Sequence, residues 1–136
     1  MTGVQTCALP ILGPQRLLIA GGLGALARWV LLALSPPLWL LFAVQALHAL
    51  SYCATFLASL RLIERLSPAP SASAAQTLNA SVSGGVMIGL TTMLSGPLLD
   101  SIGAGGYWVM SAITVVGLAG VFWLTRLMRR GELGLR

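Results

Sequence analysis

The chain has 136 residues, 57% of them hydrophobic and only 8% charged, with a mean hydropathy of +0.89. A soluble domain carries about a quarter charged residues, so this balance excludes an ordinary water-soluble enzyme and describes an integral membrane protein. The net charge of +5 comes from eight arginines against three acids; the arginines gather at segment ends, as headgroup anchors do, and form no stripe for DNA or RNA.

The first eleven residues, MTGVQTCALPI, look foreign to the rest. They resemble the translation of a common sequencing-adapter read with a GTG codon taken as initiator. A signal peptide is a poor alternative, because no basic region precedes the apolar stretch and the first charge is Arg16. Residues 1–11, Cys7 included, are thus expected to be non-native, and the native chain to begin near Leu12 in mid-gene. The other thiol, Cys53, has no histidine pair or second cysteine nearby, so neither a metal site nor a disulfide framework is expected.

Four apolar spans follow, over residues 17–35, 38–60, 76–99 and 107–125. Each is close to the roughly 20 residues needed to cross ~30 Å of hydrocarbon. Pro36-Pro37 closes the first, since helices tolerate proline only at their boundaries. The second stops at the amphipathic run Arg61-Leu62-Ile63-Glu64-Arg65, after which a Ser/Ala/Pro loop, residues 67–73, separates two hairpins. The third ends at Asp100 and the glycine-rich turn 101–106, with a potential kink at Ser95-Gly96-Pro97. The fourth ends in Arg126-Leu127-Met128-Arg129-Arg130. In this arrangement Arg16, Arg61, Arg65, Arg126, Arg129, Arg130 and Arg136 share one side, so the positive-inside rule makes both ends cytoplasmic. Trp39, Tyr107 and Trp108 fall at the opposite interface, where aromatic rings settle. Gly85-x-x-x-Gly89, Gly84, Gly96, Gly117 and Gly120 are expected to let helices approach closely.

The second span carries a polar stripe. At about 100° per residue Gln45, His48, Tyr52, Thr55 and Ser59 fall within an arc of roughly 80°, interrupted only by Leu41, while Leu40, Val44, Leu47, Leu50, Phe56 and Leu57 keep the other faces apolar. An ionisable group at this depth usually lines a substrate or proton path, and an imidazole exchanges protons at physiological pH. Arg28 lies some 10 Å inside the outer end of the first span and costs ~2.5–3.5 kcal/mol there unless it snorkels or faces a cavity. In an antiparallel hairpin Arg28 and His48 differ in depth by about one turn. On the third span Gln76, Asn79 and Ser83 repeat the pattern, either lining a path or bonding helix to helix. The string Gly22-Leu23-Gly24-Ala25-Leu26-Ala27 imitates a dinucleotide fingerprint, but no strand precedes it, and it is more simply a small-residue helix face. No catalytic constellation is visible, so no enzyme activity and no cofactor are expected.

From Arg16 to Arg130 the chain resembles the last four helices of a twelve-helix major facilitator transporter, closest to the phenylpropionate permease group and the proton-coupled oligosaccharide and nucleoside symporters. The resemblance lies in residues 13–18 before the first span, Arg28, Gln45-Ala46-Leu47-His48, and the run Leu94-Ser95-Gly96-Pro97-Leu98-Leu99-Asp100 continuing to Gly103. It implies an all-α membrane fold whose four transmembrane helices correspond to helices nine to twelve. Residues 12–130 are then part of the C-terminal domain, and 131–136 a cytoplasmic tail.

In the related lactose permeases a helix-nine arginine and a helix-ten histidine and glutamate handle protons and sugar. Arg28 and His48 resemble the first two, but Ser51 stands one turn after the histidine, where an acid is expected. The expected function is that of a fragment of a secondary transporter importing a small organic solute (an aromatic acid, sugar or nucleoside) with protons. Arg28, Gln45, His48, Tyr52, Thr55 and Asn79 would line the pathway. Its partners would be substrate, protons, the bilayer of a bacterial inner membrane and the missing N-terminal helices, with no nucleic acid and no metal. Two alternatives are a complete four-helix small multidrug exporter, which would need a membrane glutamate, and a noncatalytic membrane scaffold.

Overall fold

A computed structural model describes the backbone of residues 5–130 and the side chains of residues 13–130. The expectations for residues 1–11 and for the tail 131–136 therefore fall outside the described side chains. Helix α1, Gln5–Ala33, contains one non-helical residue, Gly13, at φ 67° and ψ 153°. Glycine alone takes that φ without strain, and the following Pro14 disfavours the α conformation before it, so the apolar stretch effectively starts there. Ser35 and Pro36-Pro37 turn the chain, and Pro37, in extended conformation, caps α2, Leu38–Leu66. That helix runs past Leu60 because the amphipathic stretch continues the helical pattern, with Arg61 and Glu64 paired at 3.1 Å.

The next run begins with a 3-10 turn, Ala69–Ser71, and continues through α3, Ala72–Ala80, a π-helical stretch, Ser81–Met87, and α4, Ile88–Ile102. Pro97 lies inside α4, whereas the departure from α-helical bonding comes earlier, in the stretch holding Gly84 and Gly85. A 3-10 turn at Gly103–Gly105, opened by Gly103 at φ 55°, leads into α5, Gly106–Arg129. The described residues thus contain three helical runs long and apolar enough to cross a membrane: Gly13–Ala33, Leu38–Leu66 and the 61-residue Ala69–Arg129.

Helix α1 lies between α2 and α5. Gln15 of α1 bonds Met128 of α5, and Trp29 of α1 stacks on Tyr107 at a centroid separation of 6.0 Å, so α1 and α5 are antiparallel. Gly21 faces Ser51 and Thr55 while Gly24 faces Leu47 and Ser51, so α2 is antiparallel as well. The buried residues of α2 include Val44, Ser51 and Ala58, and those of α5 include Ser111, Leu118 and Thr125. Each set recurs every seven residues, the spacing of helices crossing at a shallow left-handed angle. Hydroxyls in these seams bond their own backbone, Ser111 to Tyr107 at 3.0 Å and Thr125 to Val121 at 2.8 Å, so small polar residues pack without orphaned groups.

The close approaches are not where the sequence places them. Gly84, Gly85, Gly89, Gly96, Gly117 and Gly120 have no neighbour within 4 Å of an added Cβ. The contacts fall on Gly21, Gly22 and Gly24, because α1 is the helix held between two others. An added Cβ at Gly21 would sit 2.7 Å from Thr55 Cγ2 and 3.0 Å from the Ser51 carbonyl oxygen; at Gly22 it would meet only the Leu118 side chain.

Replacing Gly21 by Ala should therefore destabilise the protein by about 1–3 kcal/mol through overpacking. Gly117→Ala, in open space, should be neutral or slightly stabilising, because glycine costs roughly 0.5–1 kcal/mol in a helix interior. Thermal unfolding of the two variants in detergent, followed by circular dichroism, compares them directly. Equal melting points would contradict this packing.

Candidate functional site

Most of the polar stripe of α2 lies outside the α1 seam, with Thr55 at its border beside Gly21. Val44, Ser51 and Ala58 turn toward α1 and are buried, whereas Gln45 and His48 are exposed and Tyr52 keeps 60% of its surface accessible. Two physically different groups make up the stripe. Thr55 donates its hydroxyl to the Ser51 and Tyr52 carbonyls at 2.9 and 3.0 Å, and Ser59 to Phe56 at 2.8 Å. These hydroxyls are satisfied by their own helix, as serine and threonine are in apolar surroundings. Among the described residues the Gln45 amide has no hydrogen-bond partner, and the His48 and Tyr52 side chains make ring contacts.

Those rings form a ladder on one face. His48 and Tyr52 have centroids 6.2 Å apart at 51°, and Tyr52 and Phe56 are stacked at 6.1 Å and 10°. Spacing of i, i+4 puts such side chains one above the other. By sequence Phe56 belongs to the apolar faces, whereas its place four residues after Tyr52 sets its ring in the ladder and at the cleft.

Opposite this face stands the run of residues 72–102. Gln76 Nε2 donates to the Leu60 carbonyl at 3.0 Å and ties it to α2 at one end. At the other end Leu98 packs on Gly106 and the 3-10 turn touches α1. No residue of the run is buried. Between α2 and the α3 and π-helical stretches lies an open cleft of about 410 Å³, bordered by Tyr52, Thr55, Phe56, Ser59, Asn79 and Ser83 among others. The structure thus brings Tyr52, Thr55 and Asn79 to one cleft, while Gln45 and His48 continue the same face toward the opposite end. Gln76 bonds helix to helix, and Asn79 borders the cleft.

Arg28 does not border the cleft. Its guanidinium carbon sits 4.2 Å above the Trp29 ring, a cation–π arrangement, and lies within electrostatic reach of both His48 and Tyr107. Its Nε is buried without a hydrogen-bond partner among the described residues. No group of three or more histidine, cysteine or acidic side chains able to hold a metal occurs among the described residues.

The model of the MFS_1 like family matches residues 4–110. The maltose permease of Geobacillus stearothermophilus is 31% identical over 107 residues, an overlap that takes in 78% of this chain and 27% of the permease. The chain therefore spans about a quarter of the length of that relative. No solved structure matches it.

If the cleft holds water, single cysteines at Asn79 and Ser83, in a chain with Cys7 and Cys53 changed to serine, should react with a polar thiol reagent about tenfold faster than one at Val116. That site is 73% exposed on the far helix, and a thiol in an apolar medium forms little thiolate. Labelling rates in detergent provide the comparison. Equal rates at all three sites would count against a wet cleft.

Proposed function

The chain belongs to the MFS_1 like family of membrane transporters, and from that premise we propose that it is the C-terminal four-helix part of a proton-coupled importer of a small polar solute. The observation that carries this reading is the uncovered polar face of α2. A ladder of His48, Tyr52 and Phe56, continued by Gln45 and bordered by Thr55 and Asn79, faces away from the buried seam. In hydrocarbon such groups are costly unless they meet water, a ligand or other protein. The overlap with only 27% of the maltose permease supports a further set of helices covering this face. Substrate sites of such transporters lie near the bilayer midplane between structural repeats.

The 61-residue run crosses the bilayer twice in this proposal. A continuous helix of that length would be about 90 Å long at 1.5 Å per residue, against ~30 Å of hydrocarbon. The break at Gly103–Gly105 and the antiparallel course of α5 along α1 support two crossings. Arg16, Arg61, Arg65, Arg126, Arg129 and Arg130 then share the cytoplasmic surface of a bacterial inner membrane, opposite the Trp39, Tyr107 and Trp108 belt.

His48 is the proton-exchanging group of this piece, since its neighbour one turn on is Ser51 and no carboxylate lies within the four spans. Arg28, whose guanidinium lies over the Trp29 ring, holds an anionic group of the substrate or positions His48. Gln45, Tyr52 and Asn79 supply donors and acceptors for hydroxyls or a carboxylate, which suits a sugar, nucleoside or aromatic acid; the maltose permease relative favours the sugar class. The polar residues keep to one face of α2, and this weighs against a scaffold without a pathway.

Two outcomes follow. In a full-length protein carrying this segment, His48→Ala should lower proton-driven uptake by about tenfold or more, the scale of losing a positioned proton-transfer group, with membrane insertion intact. Uptake into energised vesicles is the measurement, and unchanged uptake would remove His48 from the coupling path. The isolated chain in liposomes should transport nothing, because the cavity of such a transporter lies between structural repeats that this piece does not supply by itself; solute accumulation by the purified chain would overturn the fragment reading.

A further inference from the structure

A second cleft, of about 380 Å³, opens at the basic end of the α1–α5 pair and is lined by Ile19, Phe122, Thr125, Arg126 and Arg129. Its layers follow from helical spacing. Arg126 and Arg129, three residues apart in the last turn of α5, lie on one face at the helix end, and Phe122 lies one turn deeper on that face. Ile19 closes the apolar floor from α1, which the Gln15–Met128 contact at 3.3 Å holds against α5 at this level. Thr125 donates its hydroxyl to the Val121 carbonyl, which leaves the two guanidiniums as the donors at the cleft mouth. Among the described residues no acid lines the cleft, and Glu64, at the same end of the molecule, is engaged by Arg61.

Two guanidiniums above an apolar floor match the vertical order of a lipid: phosphate at the surface, acyl chain below. We propose that this cleft binds one anionic phospholipid, its headgroup phosphate held by Arg126 and Arg129 and its first acyl segment lying against Phe122 and Ile19. Guanidinium forks suit phosphate oxygens, and basic pockets between transmembrane helices recognise anionic headgroups. The site rests on the membrane-spanning reading but not on transport, solute or coupling. It differs from general surface attraction in being local: Arg65 lies at the same end, exposed, and outside the cleft.

Native mass spectrometry of the whole chain in neutral detergent tests it, with titration of phosphatidylglycerol, phosphatidylcholine of the same acyl chains, and inorganic phosphate. One phosphatidylglycerol should bind with about tenfold preference over phosphatidylcholine, in keeping with the attraction of two cations near a headgroup. Arg126→Gln with Arg129→Gln should abolish the preference. The paired Lys variants should keep most of it, and Arg65→Gln all of it. Equal binding of the two lipids by the unmodified chain would overturn the proposal. So would an equal loss in Arg65→Gln, which would mean diffuse surface charge, or displacement of the lipid by inorganic phosphate, which would mean a free-anion site. Binding needs no solute or proton gradient, so its failure and a failure of the transport reading are separate results.

Discussion

The close approach of backbones along α1 decides where everything else in the molecule can sit. Helices in lipid gain little from burying leucine against leucine, and they associate through tight packing at small residues. Gly21 and Gly24 allow α2 to settle on one side of α1, and Gly22 allows Leu118 of α5 to enter on the other. One helix with glycine on two faces thereby accepts two antiparallel partners, and the seven-residue spacing of buried residues in both follows from that shared axis.

The position of the candidate site is a consequence of this arrangement. Once Val44, Ser51 and Ala58 are committed to α1, the remaining faces of α2 are rotated outward, and the polar ladder lies on one of them. The run 72–102 is fastened only near its ends, through Gln76 and around Gly103–Gly106, so it stands away from α2 and leaves a cleft between. The glycines of that run are free of contact for the same reason. In the proposed parent transporter they and the ladder face helices this chain does not contain.

Charge and hydrogen bonding divide the polar residues by role. Hydroxyls at Ser51, Thr55, Ser59, Ser111 and Thr125 bond backbone carbonyls one turn earlier and cost little in an apolar setting. Gln45, His48 and Tyr52 have no such outlet in their own helix, and Arg28 rests on Trp29 with its Nε unpaired among the described residues. Residues whose needs the bundle leaves unmet are better candidates for contact with solute than those it satisfies. By that test Thr55 is the weakest of the proposed pathway residues, because its methyl also fills the space beside Gly21.

Sequence alone was enough to establish the membrane class, the helical composition, the turn at Pro36-Pro37 and the family, because hydropathy, proline and motif order are properties of the local chain. The stripe on α2 was legible too, since helical periodicity places Gln45, His48, Tyr52 and Thr55 on one side whatever surrounds them. Periodicity could not say which of two adjacent faces would be buried, or which glycines would meet a partner, because helix rotation and pairing depend on contacts distant in the chain. Tertiary structure decided those points: it spent Gly21, Gly22 and Gly24 on packing, left Gly85 and Gly89 open, placed Asn79 across a cleft from Tyr52, and set Arg28 over Trp29 with its Nε buried and unpaired among the described residues.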